Sequence, residues 1–283
     1  MRAREAGMDE ERGAAMQVLG LCRFSVPSLG GFQVEHVSLE ARRAMLYDPA
    51  RLDERTVWFE HVTLPSIRAQ RDADFVFVLM VGEDLPDPWR SRLERMVADV
   101  PQVRIVAVPP GQHRRICADA VRAHVDPGAE LVAEFRLDDD DAVAVDFVER
   151  VRAEAGAMRS LFFRHGNVAI DFSRGVVLEA TEAGPVVTPR RALLWTPALA
   201  VLTKVDAEQR ILDHPHHKLW RNMPTLTLPD EVMFLRGSHG GNDSHIPKEP
   251  PAWDLPRDRW APLLKRRFGI DLPSFEAALA GVR

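Results

Sequence analysis

The sequence has few cysteines and no long apolar run, and each of these scarcities excludes a class of protein. Its 283 residues include two cysteines, Cys22 and Cys117, which argues against a disulfide framework and against a cysteine-based zinc site. No apolar run approaches the roughly 18 residues that span a bilayer. The net charge of −5 gives no reason to expect general affinity for nucleic acid. We expect no membrane span and no nucleic-acid partner, although peripheral association with a membrane stays open.

The remaining composition is that of an ordinary globular chain. Residues 1–15 are charged and contain no apolar core segment, so they are not a secretory signal. We expect them to form a disordered leader and the protein to be cytoplasmic. Four of the 37 basic residues are lysines, which leaves 33 arginines. Guanidinium groups suit bidentate contacts with phosphate or carboxylate, although a genomic bias towards arginine explains the same count.

Apolar runs alternate with helical patterns through the first half of the chain. We predict strands at 16–24, 74–82, 103–110 and 130–137, with helical patterns between them. This alternation is typical of βαβ units with a parallel sheet. The predicted fold class is therefore α/β, with a mainly parallel central sheet flanked by helices.

Beyond about residue 160 the pattern changes to shorter strand-like segments, followed by two C-terminal helical patterns. This change predicts a mixed or antiparallel C-terminal half. No internal repeat or low-complexity linker interrupts the chain. We therefore predict a single domain over 16–283 with two halves.

Four consecutive aspartates, Asp138 to Asp141, directly follow the fourth predicted strand. Helical periodicity resumes at once over 142–155, so the acids should occupy a tight corner between a buried strand and a helix. In an open parallel sheet, ligands bind beyond the carboxyl ends of the strands. Adjacent carboxylates raise one another's pKa, so the run is best tolerated beside a cation.

Mg²⁺ and Mn²⁺ are the natural candidates for that cation, because they take one or two carboxylates together with the phosphate oxygens of a substrate. A solvated acidic loop is the alternative. A calcium loop of the EF-hand type is excluded, because Ala142 and Val143 stand where it needs a ligand and a glycine.

Five of the ten histidines fall between residues 214 and 245. The spacing contains no HExxH zinc motif, and a surface or capping role is the alternative for each of them. His239 differs from the others because it follows an apolar strand pattern at 232–235 and precedes two glycines, which let the backbone approach a ligand closely. It could complete a metal site with the aspartates, and His245 is the rival for that role.

Several segments together resemble one protein family. They occur in the same order as in the putative rhamnosyltransferase family, over about residues 17–247: LCRFSVPSLGGFQ, FEHVTLPSIRAQRDADFVFVLMVGEDLP, FRLDDDDAV and HGGND. That family resembles the GT-A class of nucleotide-sugar glycosyltransferases. The resemblance implies a GT-A-like domain that moves a sugar, rhamnose by the family's label, from a nucleotide-diphosphate donor to a saccharide or other hydroxyl acceptor. It makes 16–141 the nucleotide-binding half and 142–283 the acceptor half with the C-terminal helices.

The resemblance also implies a Mn²⁺ or Mg²⁺ ion held by an Asp-x-Asp motif. Asp138 and Asp140 match the two aspartates of that motif, and His239 resembles the metal-binding histidine of part of the class. The implied metal ligands are therefore Asp138, Asp140 and His239. The run of four also allows the register Asp139 with Asp141.

The donor and the acceptor need further groups. The residues expected to bind the donor are Arg23, Arg136, Asp138 and Asp139. Each arginine could instead pair with the aspartates. An inverting transferase also needs a base for the acceptor hydroxyl. Asp213 occupies about the place in chain order where the class carries its base, although it could equally cap a helix. The other candidates are Asp171, Asp230 and Glu231.

Two further functions remain compatible with the sequence. One is another metal-dependent nucleotide enzyme, such as a nucleotidyltransferase, on the same kind of sheet. The other is a non-catalytic protein that binds a nucleotide-sugar. The pattern does not choose between inverting and retaining chemistry.

Overall fold

The computed structural model describes residues 16–30, 38–242 and 246–282, and the predicted leader lies outside them. The strands are β1 (Met16–Phe24), β2 (Ser28–Leu29), β3 (Val76–Gly82), β4 (Val103–Val108), β5 (Gly111–Gln112), β6 (Leu131–Asp138), β7 (Ala142–Val143), β8 (Val168–Phe172), β9 (Arg174–Thr181), β10 (Gly184–Arg191), β11 (Leu199–Lys204), β12 (Thr225–Leu228) and β13 (Phe234–Ser238). The helices are α1 (Leu39–Leu46), α2 (Pro49–Trp58), α3 (Leu64–Arg68), α4 (Trp89–Val97), α5 (His113–Arg122), α6 (Phe147–Ala157), α7 (Arg159–His165), α8 (Trp260–Phe268) and α9 (Leu272–Ala280). A π-helical segment, Phe59–Thr63, joins α2 to α3, and 3-10 turns cover Ile211–Asp213, His216–Arg221 and Arg257–Arg259.

The central sheet of the described residues has seven strands in the order β12-β8-β11-β6-β1-β3-β4. All neighbouring strands are parallel except at β11, which runs antiparallel to both β6 and β8. Six strands therefore point one way, which confirms the predicted α/β class with a mainly parallel sheet. Strands from both predicted halves join this sheet, and the division into halves stays a prediction.

Both faces of the central sheet are covered. Cys22 and Phe24 of β1 belong to one buried apolar cluster, while Leu19 and Leu21 belong to another. Alternate residues of a strand point to opposite faces, so the two clusters fill the two sides of the sheet. Burial on both faces is typical of parallel strands. No helix of the described ranges is long and apolar enough to cross a membrane.

A second sheet, in the order β10-β9-β13-β7, forms the mixed C-terminal part. Strand β9 is antiparallel to β10 and parallel to β13, which is antiparallel to β7. The helix expected from residue 142 begins only at Phe147. Residues 142 and 143 instead pair with Phe234 and Leu235 of β13. The whole stretch 142–148 is buried, and a short apolar run buried on all sides does not distinguish a strand from a helix.

The strand register brings the polar groups to one edge of the central sheet. Arg23, near the end of β1, lies opposite Asp138 at the end of β6. Because β11 runs in reverse, it begins at the same edge, with Ala200 opposite Phe135. This edge, where the parallel strands end, is where a sheet of this kind binds ligands.

Candidate active site

The first aspartate of the run faces the arginine of the neighbouring strand. Arg23 Nη2 donates to Asp138 Oδ1 at 2.8 Å, and the Asp138 side chain keeps 43% of its exposure. Arg23 Nη1 also lies 3.1 Å from His113 Nε2. Asp138 is therefore paired and also partly exposed at the edge of the sheet where the parallel strands end.

The next two aspartates share one buried cation, Arg55 of α2. Arg55 Nε donates to Asp139 Oδ2 at 3.0 Å, and its Nη2 contacts Asp139 Oδ1. Arg55 Nη1 donates to Asp140 Oδ2 at 3.2 Å. The side chains of Asp139 and Asp140 are 1% and 3% exposed. Buried ions need such pairing, so arginine offsets much of the repulsion within the run.

Sequence reasoning missed Arg55, although a signal for it exists. Leu52, Arg55, Thr56 and Phe59 follow a helical spacing and are all buried. Val57 and Trp58 are buried as well, so this part of α2 is enclosed on most sides. An arginine in such a segment requires a buried anion, and the aspartate run supplies it.

His239, predicted as a metal ligand, does meet Asp140. Its Nε2 lies 3.1 Å from Asp140 Oδ2, and Asn242 Nδ2 donates to the same oxygen at 2.6 Å. The Gly241 backbone N–H donates to His239 Nδ1 at 3.1 Å. Arg55 Nη1, which can only donate, lies 3.0 Å from the same Nε2. The imidazole is therefore in contact with both the guanidinium of Arg55 and the carboxylate of Asp140. His245 lies outside the described residues.

The ionisation of Asp140 and Asp141 differs because their neighbours differ. Burial opposes the charge of Asp140, but Arg55, His239 and Asn242 outweigh it and hold its pKa far below the usual value. Burial, together with repulsion from Asp140 and Asp138, raises the pKa of Asp141 well above its usual value. Asp140 is therefore the more readily ionised of the two.

Gly237 allows β13 to pack closely against the aspartate corner, the turn that contains Asp138 to Asp141. A Cβ at this position would lie 2.4 Å from the backbone oxygen of Asp140 and 2.8 Å from its Cβ. The Gly237 N–H donates to Asp141 Oδ1 at 3.0 Å, and Thr63 Oγ1 donates to the Asp141 backbone oxygen at 2.8 Å. Strand β13 and the π-helical segment thus fix the corner.

Replacing Gly237 with alanine should lower the free energy of unfolding by about 1–3 kcal/mol, because the added methyl forces the backbone of the corner to move. Gly240→Ala is the matched control, since nothing lies within 4 Å of a Cβ there, and it should stay within about 0.5 kcal/mol. Urea unfolding of both variants checks this. Equal stability of the two would contradict the close packing of β13 on Asp140.

The crevice wall beside Asp138 is positively charged. Arg136 Nη2 donates to Thr196 Oγ1 at 3.2 Å. Burial and the neighbouring Arg23 lower the pKa of Arg136 to about 10, which still leaves it charged at neutral pH. Burial, with Arg23 and Arg136, lowers the pKa of His113 to about 3, so His113 is neutral. The wall presents two cations with neutral hydrogen-bonding groups, which suits an anionic ligand.

The carboxylates expected as bases lie in different surroundings. Asp213 ends the 3-10 turn that precedes residue 214, and its Oδ2 accepts the Arg210 backbone N–H at 2.9 Å. The N-cap of the following 3-10 helix is Pro215, not Asp213. Asp171 is buried, which raises its pKa to about 6, and Asp230 pairs with Arg150 at 3.2 Å. Asp213 as the base stays a prediction.

The donor set of the corner fits a hard divalent cation. No three His, Cys, Asp or Glu side chains in the part of the chain that the structure describes form a group suited to a metal ion. Mg²⁺ needs fewer, since it binds through one or two carboxylates and takes its other ligands from water and substrate phosphates. Asp138 and Asp140, which interact electrostatically, supply two carboxylates. The metal ion itself, and His239 as its ligand, stay predictions.

A mainly parallel α/β sheet that gathers carboxylates and arginines where its strands end defines a ligand-binding crevice. The model of the family described as putative rhamnosyl transferase matches residues 17–249. The chain therefore belongs to that family. A search of curated proteins found no match.

Solved structures with a similar fold include TarS of S. aureus. TarS 1–349 shares 9% identity and a TM-score of 0.38, over 78% of this chain and 60% of the TarS chain. TarS 1–349 in complex with UDP shares 11% identity with a TM-score of 0.36, over 79% of this chain and 60% of the TarS chain. A 4-diphosphocytidyl-2C-methyl-D-erythritol synthase from Anaerococcus prevotii shares 11% identity with a TM-score of 0.33, over 76% of this chain and 90% of the synthase chain. The chain spans about three fifths of TarS 1–349, and likenesses this distant define neither its substrate nor its site.

Proposed function

We propose that the protein transfers a sugar, rhamnose by the family's name, from a nucleotide-diphosphate donor to a saccharide or another hydroxyl acceptor. The chain belongs to the rhamnosyl transferase family. The observation that carries the proposal is its aspartate corner, which Arg23 and Arg136 flank at the ligand-binding edge of the sheet. A nucleoside diphosphate carries the negative charge that these arginines complement.

The residues at this edge of the sheet have different roles in binding the donor. Arg23 and Arg136 stabilise the charge that develops on the departing diphosphate. Asp138, the partly exposed member of the run, is the carboxylate that reaches the donor. Asp139 is occupied by Arg55, so its part is to hold the corner in place.

We further propose that a Mn²⁺ or Mg²⁺ ion binds at Asp138 and Asp140. The low pKa of Asp140 and the raised pKa of Asp141 favour this register over Asp139 with Asp141. When bound, the ion supplies Lewis-acid stabilisation of the leaving diphosphate. His239 then orients Asp140, or joins the ion as the sequence predicts. A cytoplasmic location stays a prediction.

The test is a panel of UDP-, dTDP- and GDP-sugars, including a rhamnose donor, with release of nucleoside diphosphate measured in Mn²⁺, Mg²⁺ or EDTA. We expect release from one nucleotide class, and its loss in EDTA. Pyrophosphate release from a nucleoside triphosphate with a sugar phosphate would instead identify a nucleotidyltransferase. Thermal stabilisation by nucleoside diphosphate without any turnover would identify a binding protein.

A further inference from the structure

A chain of two hydrogen bonds links a buried carboxylate to a histidine of the C-terminal half. Asp171 Oδ1 accepts the backbone N–H of Leu194 at 3.0 Å. The Leu194 carbonyl lies 2.6 Å from His216 Nδ1. Thr227 Oγ1 donates to Asp171 Oδ2 at 3.1 Å, so both carboxylate oxygens are engaged. The Leu194 peptide therefore lies fixed between Asp171 and His216.

The backbone at Leu194 is held in an unfavourable conformation. Its φ is +58°, the left-handed region that residues with a Cβ rarely adopt. Such conformations persist where the surrounding structure requires them, and they concentrate at functional sites. Here Leu194 presents its backbone N–H to Asp171 and its carbonyl to His216.

This contact decides which nitrogen of His216 carries the proton. A carbonyl oxygen can only accept, so Nδ1 is the donor, and the neutral ring keeps a lone pair on Nε2. Burial lowers the pKa of His216, the Leu194 carbonyl opposes this, and Arg136, His217 and Arg236 lower it further. The imidazole is therefore neutral at pH 7, with Nε2 able to accept a proton.

The same loop and its neighbours connect His216 to the crevice. Thr196, two residues beyond Leu194, accepts the hydrogen bond from Arg136. The Trp195 ring lies 4.7 Å from the guanidinium of Arg236, whose charge acts on Asp141. His216 thus stands in the field of arginines from β6 and β13, the two strands that meet at the aspartate corner.

Each of the two segments joined by the Leu194–His216 bond also carries an exposed apolar side chain. Leu193 is 69% exposed and Trp220 is 61% exposed. Binding sites combine apolar side chains with a few placed polar groups. The apolar face of a sugar ring fits a surface of this kind.

We propose that His216 is the general base that takes the proton of the acceptor hydroxyl, with Asp171 as a positioning residue that acts through Leu194. This rests on the proposed function. In the step, the acceptor oxygen forms a bond to the anomeric carbon of the donor sugar. The bond from that carbon to the diphosphate oxygen breaks, and its electron pair leaves with the nucleoside diphosphate. The hydroxyl proton passes to His216 Nε2 and then to solvent.

The decisive variant is His216→Asn. The asparagine amide can still donate to the Leu194 carbonyl, whereas the basic Nε2 is lost. With the donor found in the panel, we expect kcat to fall about 10²- to 10⁴-fold while the affinity for the corresponding nucleoside diphosphate, measured by calorimetry, is unchanged. The matched control is His217→Asn, the exposed neighbour whose ring stands edge-on to His216, and it should stay within about twofold of the parent.

The pH profile gives a readout that a structural role would not move. The transfer rate of the parent should fall as the pH drops through the lowered pKa of His216, and this acid limb should disappear in His216→Asn. Nitrogen NMR of the parent should show the Nδ1–H tautomer at pH 7.

The failures of the two proposals are distinguishable. A parent protein that transfers no sugar contradicts both the proposed function and the proposal that His216 is the base. An active parent with an equally active His216→Asn, or with an Nε2–H tautomer, overturns only the base. Loss of activity in Asp213→Asn with full activity in His216→Asn would assign the base to Asp213.

Discussion

Replacing Arg55 with methionine should lower the free energy of unfolding by about 3–5 kcal/mol, the usual effect of leaving a buried charge without its partner. Two carboxylates lose their cation at once, because Arg55 donates to both Asp139 and Asp140. Methionine replaces the aliphatic stem, so the loss reports the charge rather than the packing. Urea unfolding at pH 7 measures it.

Arg68→Met is the control for this variant. Arg68 lies on α3 and pairs with Asp99 at 2.7 Å, but the two side chains are 45% and 71% exposed. Exposed pairs contribute less than about 1 kcal/mol. A loss in Arg55→Met no larger than in Arg68→Met would show that the aspartate run does not depend on Arg55.

The pH dependence of the Arg55 effect has a definite sign. The pKa of Asp140 lies below its unfolded value, because Arg55, His239 and Asn242 outweigh the effect of burial. Such a group stabilises the fold above its unfolded pKa of about 3.9, and this stability is lost as the pH falls through the folded pKa. The penalty of Arg55→Met should therefore be largest near pH 7 and shrink on acidification, since a protonated carboxyl needs no cation.

Asp140→Asn should weaken the binding of nucleoside diphosphate in Mn²⁺ by at least about 100-fold. The substitution removes one of the two proposed metal ligands, and even residues that only orient such ligands contribute about 10- to 100-fold. The fold should survive, because Asp139 still pairs with Arg55 and the asparagine oxygen can accept from Asn242. Calorimetric titration with UDP, dTDP and GDP, in Mn²⁺ and in EDTA, measures the change.

His239→Gln shows which part His239 plays at the metal site. The glutamine amide can keep a hydrogen bond to Asp140, but it does not replace an imidazole ligand. Affinity near that of the parent indicates that His239 orients Asp140, while a loss as large as in Asp140→Asn indicates metal ligation. Unchanged affinity in Asp140→Asn itself would contradict the metal site.

The strands with long apolar runs could be predicted from the sequence. The first strand was predicted at 16–24, and β1 spans the same residues. The predicted strand at 74–82 corresponds to β3. Long apolar runs identify such strands, because burial on both faces permits little else. The start of α6 was misplaced because residues 142–148 are buried throughout, which removes the periodic signal.

The sequence by itself determined the class of sheet and the position of four carboxylates at the end of a buried strand. Only the tertiary structure decided what neutralises them, because Arg55 stands 84 positions before Asp139 and no local pattern joins the two. It also decided the proton position of His216, which depends on a single hydrogen bond to the Leu194 carbonyl. Periodicity reports which side of an element is buried, whereas charge pairing and tautomers depend on distances between elements that only the folded chain fixes.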